Sequence, residues 1–578
     1  MQERRRVGVC DQGFVESGLN QEALSRENLP GPEDAPDVEA ARSANGAATR
    51  ARRGRPLRLP EDSTPFSQVH GGSAPLVAWL LATSRIYAAD GAYAQREAFA
   101  AALRALGVAA DPTRVSRWES GASRPAPRVL QAYERVLGLR PGQISVVAEG
   151  ITRSLDPTVP VQREWFDVSP EEIHSELDAL FERILSPGAH DGLDWLQLTA
   201  RLTGHAQVYL RPQTWAETAS LLVRELCRSV GVAHVRRYEA MRLLVRHPVA
   251  QRHAVKALGA FVTHPHAQVV SQPLILLQEV DDAQASDLVL RMLTGPPGML
   301  RRGAAWVAAS KLARDHFDDA GQAELEAMVM RMLDRRHEPR IGLDTSLIDA
   351  IDVACCLPRE RAARVLIRLR NDPSTRHLAQ TLHHGEIVAA DDSRRTAVRV
   401  AEAIQADLAT PQRLEPDQML VRLVREALFH NHKERRNQAS LLLGSSPYGP
   451  ALHRHCLDLA RGADDLVAMR ALTMLWYGAP DDCRDGLREL AWHDPRPHVR
   501  SRALMALAHV RGGVTADVED RVLEAIAHNP DPRARHAGMY ALGMSGAETL
   551  KLLAAECEHL APVAEWWIDT GPAIYDED

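Results

Sequence analysis

From about residue 74 apolar positions recur at intervals of three and four almost to the C-terminal end, the period of helices with one buried face. APLVAWLLATSRIYA, QREAFAAALRALG, DPTRVSRWES and APRVLQAYERVLG are each such a run, divided from the next by Gly, Pro or Asp. They predict a compact unit of four or five short helices over residues 74–148. ITRSLDPTVPVQ lacks the period and reads as a linker, over 149–169. Helical runs then resume and fill 170–560, while strand-like alternation is scarce. The pattern predicts an all-α chain, with a small helical unit followed by a long helical body.

Within that body the pattern repeats. HDPRPHVRSRALMAL (493–507) aligns with HNPDPRARHAGMYAL (528–542) at a shift of 35, pairing Val499 with Ala534 and Leu507 with Leu542. A shift of 32 carries Val499, Ala503 and Leu507 back to Val467, Ala471 and Leu475, and a second reaches Arg435, Ala439 and Leu443. Recurrence at this interval marks an α-solenoid, whose helical hairpins stack because none buries its apolar face alone. The D-P-x-x-x-V-R form of 493–507 resembles the HEAT family of repeats, with less regular cousins at 247–261 and 299–313. Residues 561–578, with Trp566, Trp567 and Tyr575, are expected to cap the array.

Residues 1–70 are rich in Arg, Glu, Gly, Pro and Ala, with few bulky apolar groups, and read as a flexible tail. The tail carries Arg50, Arg52, Arg53, Arg55 and Arg58 within twelve residues. Its Arg53-Gly54-Arg55-Pro56 core looks like an AT-hook, whose arginines enter the narrow minor groove. A nonspecific phosphate-attracting arm and a solvated linker are the other readings of Arg52, Arg53, Arg55 and Arg58.

TRVSRWESGASRP (113–125) carries the sharpest chemistry. Asp111 can cap a helix that starts at Pro112, and Gly121 can end it in a left-handed turn. Helical spacing puts Val115 and Trp118 on a core face and leaves Thr113, Arg114 and Arg117 outside. Arginine can grip guanine O6 and N7 together, whereas Thr offers a hydroxyl and a methyl. Ser116, Ser123 and Arg124 suit phosphate contacts.

RVSRWESGASRPAPRVLQAYERVLGL (114–139) resembles the third helix, turn and fourth helix of the XRE (Cro and C1 repressor-like) helix-turn-helix family. Val115, Trp118, Glu119, Gly121 and Pro125 fall on its V-S-x-W-E-x-G-x-x-x-P pattern. The resemblance covers about 75–145 and implies a DNA-binding domain in which Thr113, Arg114 and Arg117 approach the major groove, in a homodimer on paired half-sites. One departure concerns the second helix, which in the family commonly begins with Ser-Gln. Counting back from Leu106 and Gly107 puts Phe99 near that place, with Gln95 earlier, so either the helix is longer or the usual phosphate clamp is missing.

A formal charge of −7 leaves room for a local basic patch on a chain that does not coat nucleic acid throughout. The seven dispersed cysteines fit a reducing cytosol better than a disulfide framework. No apolar run is long enough for a bilayer and no signal peptide is recognised, so a cytoplasmic protein, nucleoid-associated when bound to DNA, is expected. Enzymatic signals are lacking. His383-His384-Gly385-Glu386 has the wrong order for a zinc helix, and His453, His455 and Cys456 cannot all share one helix face. There is no phosphate-cradling glycine motif or nucleophile elbow. Neither a metal nor a cofactor is expected. Trp306 reads as a buried packing residue, and Arg301 and Arg302 as solvated. The leading expectation is a sequence-specific transcriptional regulator of double-stranded DNA, whose solenoid dimerises or binds a protein partner. The rival is a non-enzymatic interaction scaffold, in a phage-defence or mobile-element setting, whose small domain anchors or autoregulates it.

Overall fold

The computed structural model describes residues 57–575, apart from 69–70, 89–90, 157–172, 205–209, 297, 335–344, 374, 377, 380–383, 409–413, 479–480 and 530. Every regular element among the described residues is helical, and strand-type pairing is confined to isolated bridges such as Leu57 with Leu414. No described helix is long and apolar enough to cross a membrane.

Five helices form the N-terminal unit: α1 (Ser73–Ile86), α2 (Arg96–Ala105), α3 (Pro112–Glu119), α4 (Pro127–Leu137) and α5 (Ser145–Leu155). α2 to α4 follow the usual amphipathic rule, with one buried face. α1 does not, because every residue from Leu76 to Ile86 is buried. A helix without a polar face must be covered on all sides. α1 packs on α3, α4 and α5 within the unit and on helix Lys433–Ser445 of the body. α5 is buried over its whole length except Gly150 and lies against helices Gly231–Arg246 and Lys433–Ser445.

Two expected boundaries therefore fail. Residues 149–155 are not linker but the second half of α5, and residues 57–68 are not free tail. Glu415 donates its amide to Leu57 O at 3.0 Å, Leu59 is buried, and Arg422 donates to Asp62 O and Thr64 O. Phe66 lies under Arg425, 4.4 Å from its Cζ, and its carbonyl accepts from the His430 ring at 3.0 Å. Polar composition suggested a tail and a linker, but the body binds polar groups of both, including the Asp62 and Thr64 carbonyls and Arg153.

The body is built of helical hairpins, as the periodicity predicts. Helices Lys433–Ser445, Asp465–Met474, Pro497–Leu507 and Pro532–Ser545 occupy equivalent places in successive repeats. Leu443 and Leu507 sit near their C-terminal ends, Leu475 just beyond and Leu542 shortly before, and all four are fully buried. Ala439, Ala471 and Ala503 are buried one turn earlier, where small side chains let neighbouring helices approach. The C-terminal helix Ala561–Thr570 lays Trp567 over Gly543, where a Cβ would lie 1.9 Å from the indole, so no other residue fits. Beyond it, Val230 N–H donates to Ile574 O at 2.9 Å and Ile574 N–H to Arg228 O at 2.8 Å. The terminal segment thus covers the last repeat and also fastens to the end of helix Pro212–Arg228.

Burial of histidines predicts an acid-sensitive fold. His234, His453 and His536 are pushed down to about 4 and His509 to about 3, in each case first by burial, which disfavours the charged ring. Folded values below the unfolded value mean that the unfolded chain binds more protons as pH falls. Stability should be intact above about pH 6.5 and lost progressively toward pH 4, by up to about 1.4 kcal/mol per pH unit for each histidine. Urea denaturation followed by circular dichroism between pH 7.5 and 4.5 checks this; a flat stability profile would contradict it.

Candidate functional site

α3 is a short helix held by local chemistry at both ends. Asp111 accepts the Arg114 amide at 2.9 Å, and Pro112 follows at the position where no amide hydrogen is needed. Gly121 has φ of 75°, in the left-handed region, and a Cβ there would come within 3.2 Å of Ala74 O. Val115 and Trp118 are buried, with Trp118 edge-on to Tyr133 at 6.4 Å.

Glu119 is the anchor of α3. Its side chain is buried and receives Arg85 of α1 through two hydrogen bonds, one of them 2.8 Å to Oε2, and Arg96 of α2 at 3.0 Å. Arg85 also donates to the carbonyls of Tyr93 and Ala94. One carboxylate therefore fixes α3 against both preceding helices.

α2 begins at Arg96 after Gln95, and Phe99 lies one turn inside it, fully buried and edge-on to Tyr133 at 4.6 Å. Arg96 stands first on the helix, paired to Glu119.

On the opposite side of α3, Thr113, Arg114 and Arg117 are exposed and Ser116 is half-buried. Arg114 folds back to donate to Ala109 O at 2.6 Å and keeps a long 3.9 Å contact with Asp111. Ser123 is half-buried, its amide donating to Arg117 O at 3.2 Å. Arg124 is exposed and also paired. One of its terminal nitrogens lies 2.9 Å from both oxygens of Glu149, which ties it to α5 rather than leaving it free beside the helix. Arg58 is likewise engaged, pairing with Glu61 at 2.7 Å. Arg52, Arg53 and Arg55 lie outside the described residues.

Glu149 opens a chain of buried ion pairs that the periodicity could not reveal. Its other contact is Arg153 at 3.0 Å, and Arg153 pairs with Glu239 of helix Gly231–Arg246. Arg242, one turn on, reaches Glu239 at 3.8 Å and Glu279 at 2.8 Å, and Arg314 closes on Glu279 at 3.1 Å. From Glu149 to Arg314 these side chains are almost wholly buried. Burial opposes ionisation of Glu279, but Arg242 and Arg314 outweigh it and hold the carboxyl below its ordinary range. Burial pushes Glu239 up instead, against the pull of Arg153 and Arg242. A second junction joins α1 to the body. The Trp79 indole donates to Asp417 at 2.9 Å, the Tyr448 hydroxyl donates to the same carboxylate at 3.0 Å, and Asp417 caps helix Gln418–Phe429 through the Leu420 amide.

The other candidates fall as follows. Trp306 is buried, with the Lys433 ammonium 4.2 Å from its ring centre. Arg301 is buried and Arg302 half-buried, so neither is the solvated helix arginine expected. His453 and Cys456 are buried together, and His455 pairs with Asp407 at 3.3 Å. Among the described residues no three His, Cys, Asp or Glu side chains are grouped to hold a metal ion.

Residues 454–543 match the HEAT-repeat family. The match spans the repeats from helix Gly449–Arg461 to helix Pro532–Ser545 and stops far short of the five-helix unit. No curated protein matches the chain.

Substituting Glu119 with Ala should cost about 3–5 kcal/mol, because Arg85 is left buried without its carboxylate. Replacing Arg85 and Glu119 together by a well-packed apolar pair should cost less than E119A alone. Equilibrium urea denaturation of the two variants provides the comparison.

Proposed function

We propose that the protein is a helical-repeat interaction scaffold whose five-helix end binds duplex DNA, acting as a sequence-reading transcriptional regulator. Stacked helical hairpins offer long surfaces to protein partners, and the HEAT match over 454–543 supports that half of the reading. The observation that carries the DNA half is the division of α3. Val115, Trp118 and Glu119 lock its inner side, while Thr113, Arg114 and Arg117 stand exposed on the other. A helix so fixed presents its outer side chains at small entropic cost, which is what base readout in the major groove requires. Ser116 suits a phosphate contact beside them. Arg124 has no direct DNA role in this reading; it holds the turn after α3 to α5. Two copies would read paired half-sites. No catalytic chemistry is assigned to any residue.

A second reading, a scaffold whose five-helix end serves only as its structural cap, is favoured by the burial of α1 and α5 against the body. Gel shifts and footprinting on genomic fragments separate the two. The DNA reading predicts preferred sites at moderate salt. Replacing Arg114 and Arg117 with Ala should then weaken selective binding by about 1–3 kcal/mol per lost base contact without lowering the melting temperature. Absence of preferred sites, or selectivity unchanged in the double variant, leaves the scaffold reading.

A further inference from the structure

A cavity of about 290 Å³ lies where the stretch entering α5 meets the body. Gln143 and Val147 line it from that stretch, Gly231 and Val232 from the start of helix Gly231–Arg246, and His453 and Trp476 from the repeats. Arg140 and Gly478 also line it and are exposed, which puts its mouth beside them. Small-molecule sites favour such junctions between packed units, and the volume stands at the lower end of their usual range of about 300–1,000 Å³.

Several polar groups around the cavity lack partners. His453 is 2% exposed, and neither of its ring nitrogens has a hydrogen-bond partner among the described residues. The Trp476 indole N–H is out of solvent and has no acceptor there either. Helix Gly231–Arg246 opens without a side-chain cap. Its His234 amide returns to Val230 O at 3.3 Å, but the Gly231 and Val232 amides meet no acceptor among the described residues. Those amides are the positive end of a 16-residue helix dipole. Buried polar groups are nearly always paired, so this set calls for a partner from outside the chain.

The lining also fixes the chemistry of that partner. No Asp or Glu is among the described residues around the cavity, so an anion meets no like charge. Arg140 is the only Arg or Lys among them and lies at the mouth, while burial keeps His234, His453 and His509 neutral at pH 7. A helix start carrying about half an elementary charge suits a singly charged group better than a doubly charged phosphate. Val147, Val230, Val232, Val235 and Leu441 make much of the remaining wall apolar.

We propose that this cavity binds a small monocarboxylic acid with an apolar body. The carboxylate accepts from the Gly231 and Val232 amides and from the His453 ring, and the body packs on the valines. The site is separate from α3 and does not depend on DNA binding.

Titration calorimetry of the full chain with phenylacetate and with hexanoate tests this, and phenylacetamide is the uncharged control. At least one of the acids should bind saturably, and the amide should bind about tenfold more weakly than phenylacetate or worse, the loss expected for charge-assisted contacts. Val232→Pro removes one amide hydrogen in the first helical turn, where proline is tolerated, and should weaken acid binding by a similar factor. Ser445→Phe fills the cavity from its lining and should abolish binding while the melting temperature stays within a few degrees. The comparison of acid with amide uses the unaltered chain, so it decides the matter even if a variant fails to fold. Saturable binding of neither acid, equal binding of phenylacetamide, or full affinity retained in folded Val232→Pro or Ser445→Phe overturns the proposal.

Discussion

The alternating chain of Arg124, Glu149, Arg153, Glu239, Arg242, Glu279 and Arg314 is the constraint on which the placement of the five-helix unit depends. Each carboxylate in it is shared between arginines, and its members come from the α3–α4 turn, α5, helix Gly231–Arg246, the short helix Ile275–Glu279 and the turn after helix Met299–Leu312. Buried ion pairs add little net stability over an apolar contact of the same volume, but they tolerate few alternative arrangements. A unit packed only through leucine and alanine could slide or rotate on its neighbour. One whose glutamates must each meet their arginines cannot. The Asp417 knot, with Trp79 on one side and Tyr448 on the other, adds a second point of attachment through α1.

The same ion pairs reach α3. α3 is fixed to α1 and α2 through Glu119, and the turn after it is fixed to α5 through Arg124 and Glu149. The outward residues Thr113, Arg114 and Arg117 are therefore oriented by the repeat body as well as by their own small unit.

Much of the fold was legible in the sequence because burial in a helix has a period. The 32- and 35-residue shifts located Ala439, Ala471 and Ala503 and the leucines that follow them, and all are buried where the repeat requires. Val115, Trp118, Asp111 and Gly121 were legible for the same local reasons, since caps and core faces are set by neighbours in the chain. What stayed hidden was pairing across long separations. Glu149 and Arg153 looked like solvated linker because charge reads as exposure until its partner is known, and Glu239 lies far along the chain. The segment before α1 misled for a related reason. Of its few apolar groups Leu59 is buried, and Phe66 meets Arg425 and His430 far along the chain, in a segment with no period of its own. The run QREAFAAALRALG was legible as α2, which begins at Arg96 after Gln95.

Native-state hydrogen exchange in increasing urea tests the central claim, that α1 to α5 and the body are one cooperative structure joined through buried charge. The amides of α5 and of helix Gly231–Arg246 should open together with a common free energy and urea dependence, and Glu149→Gln should lower that free energy in both helices. If α5 opens at a lower free energy than helix Gly231–Arg246, or if Glu149→Gln affects α5 alone, the five-helix unit is an independent domain and the account is wrong.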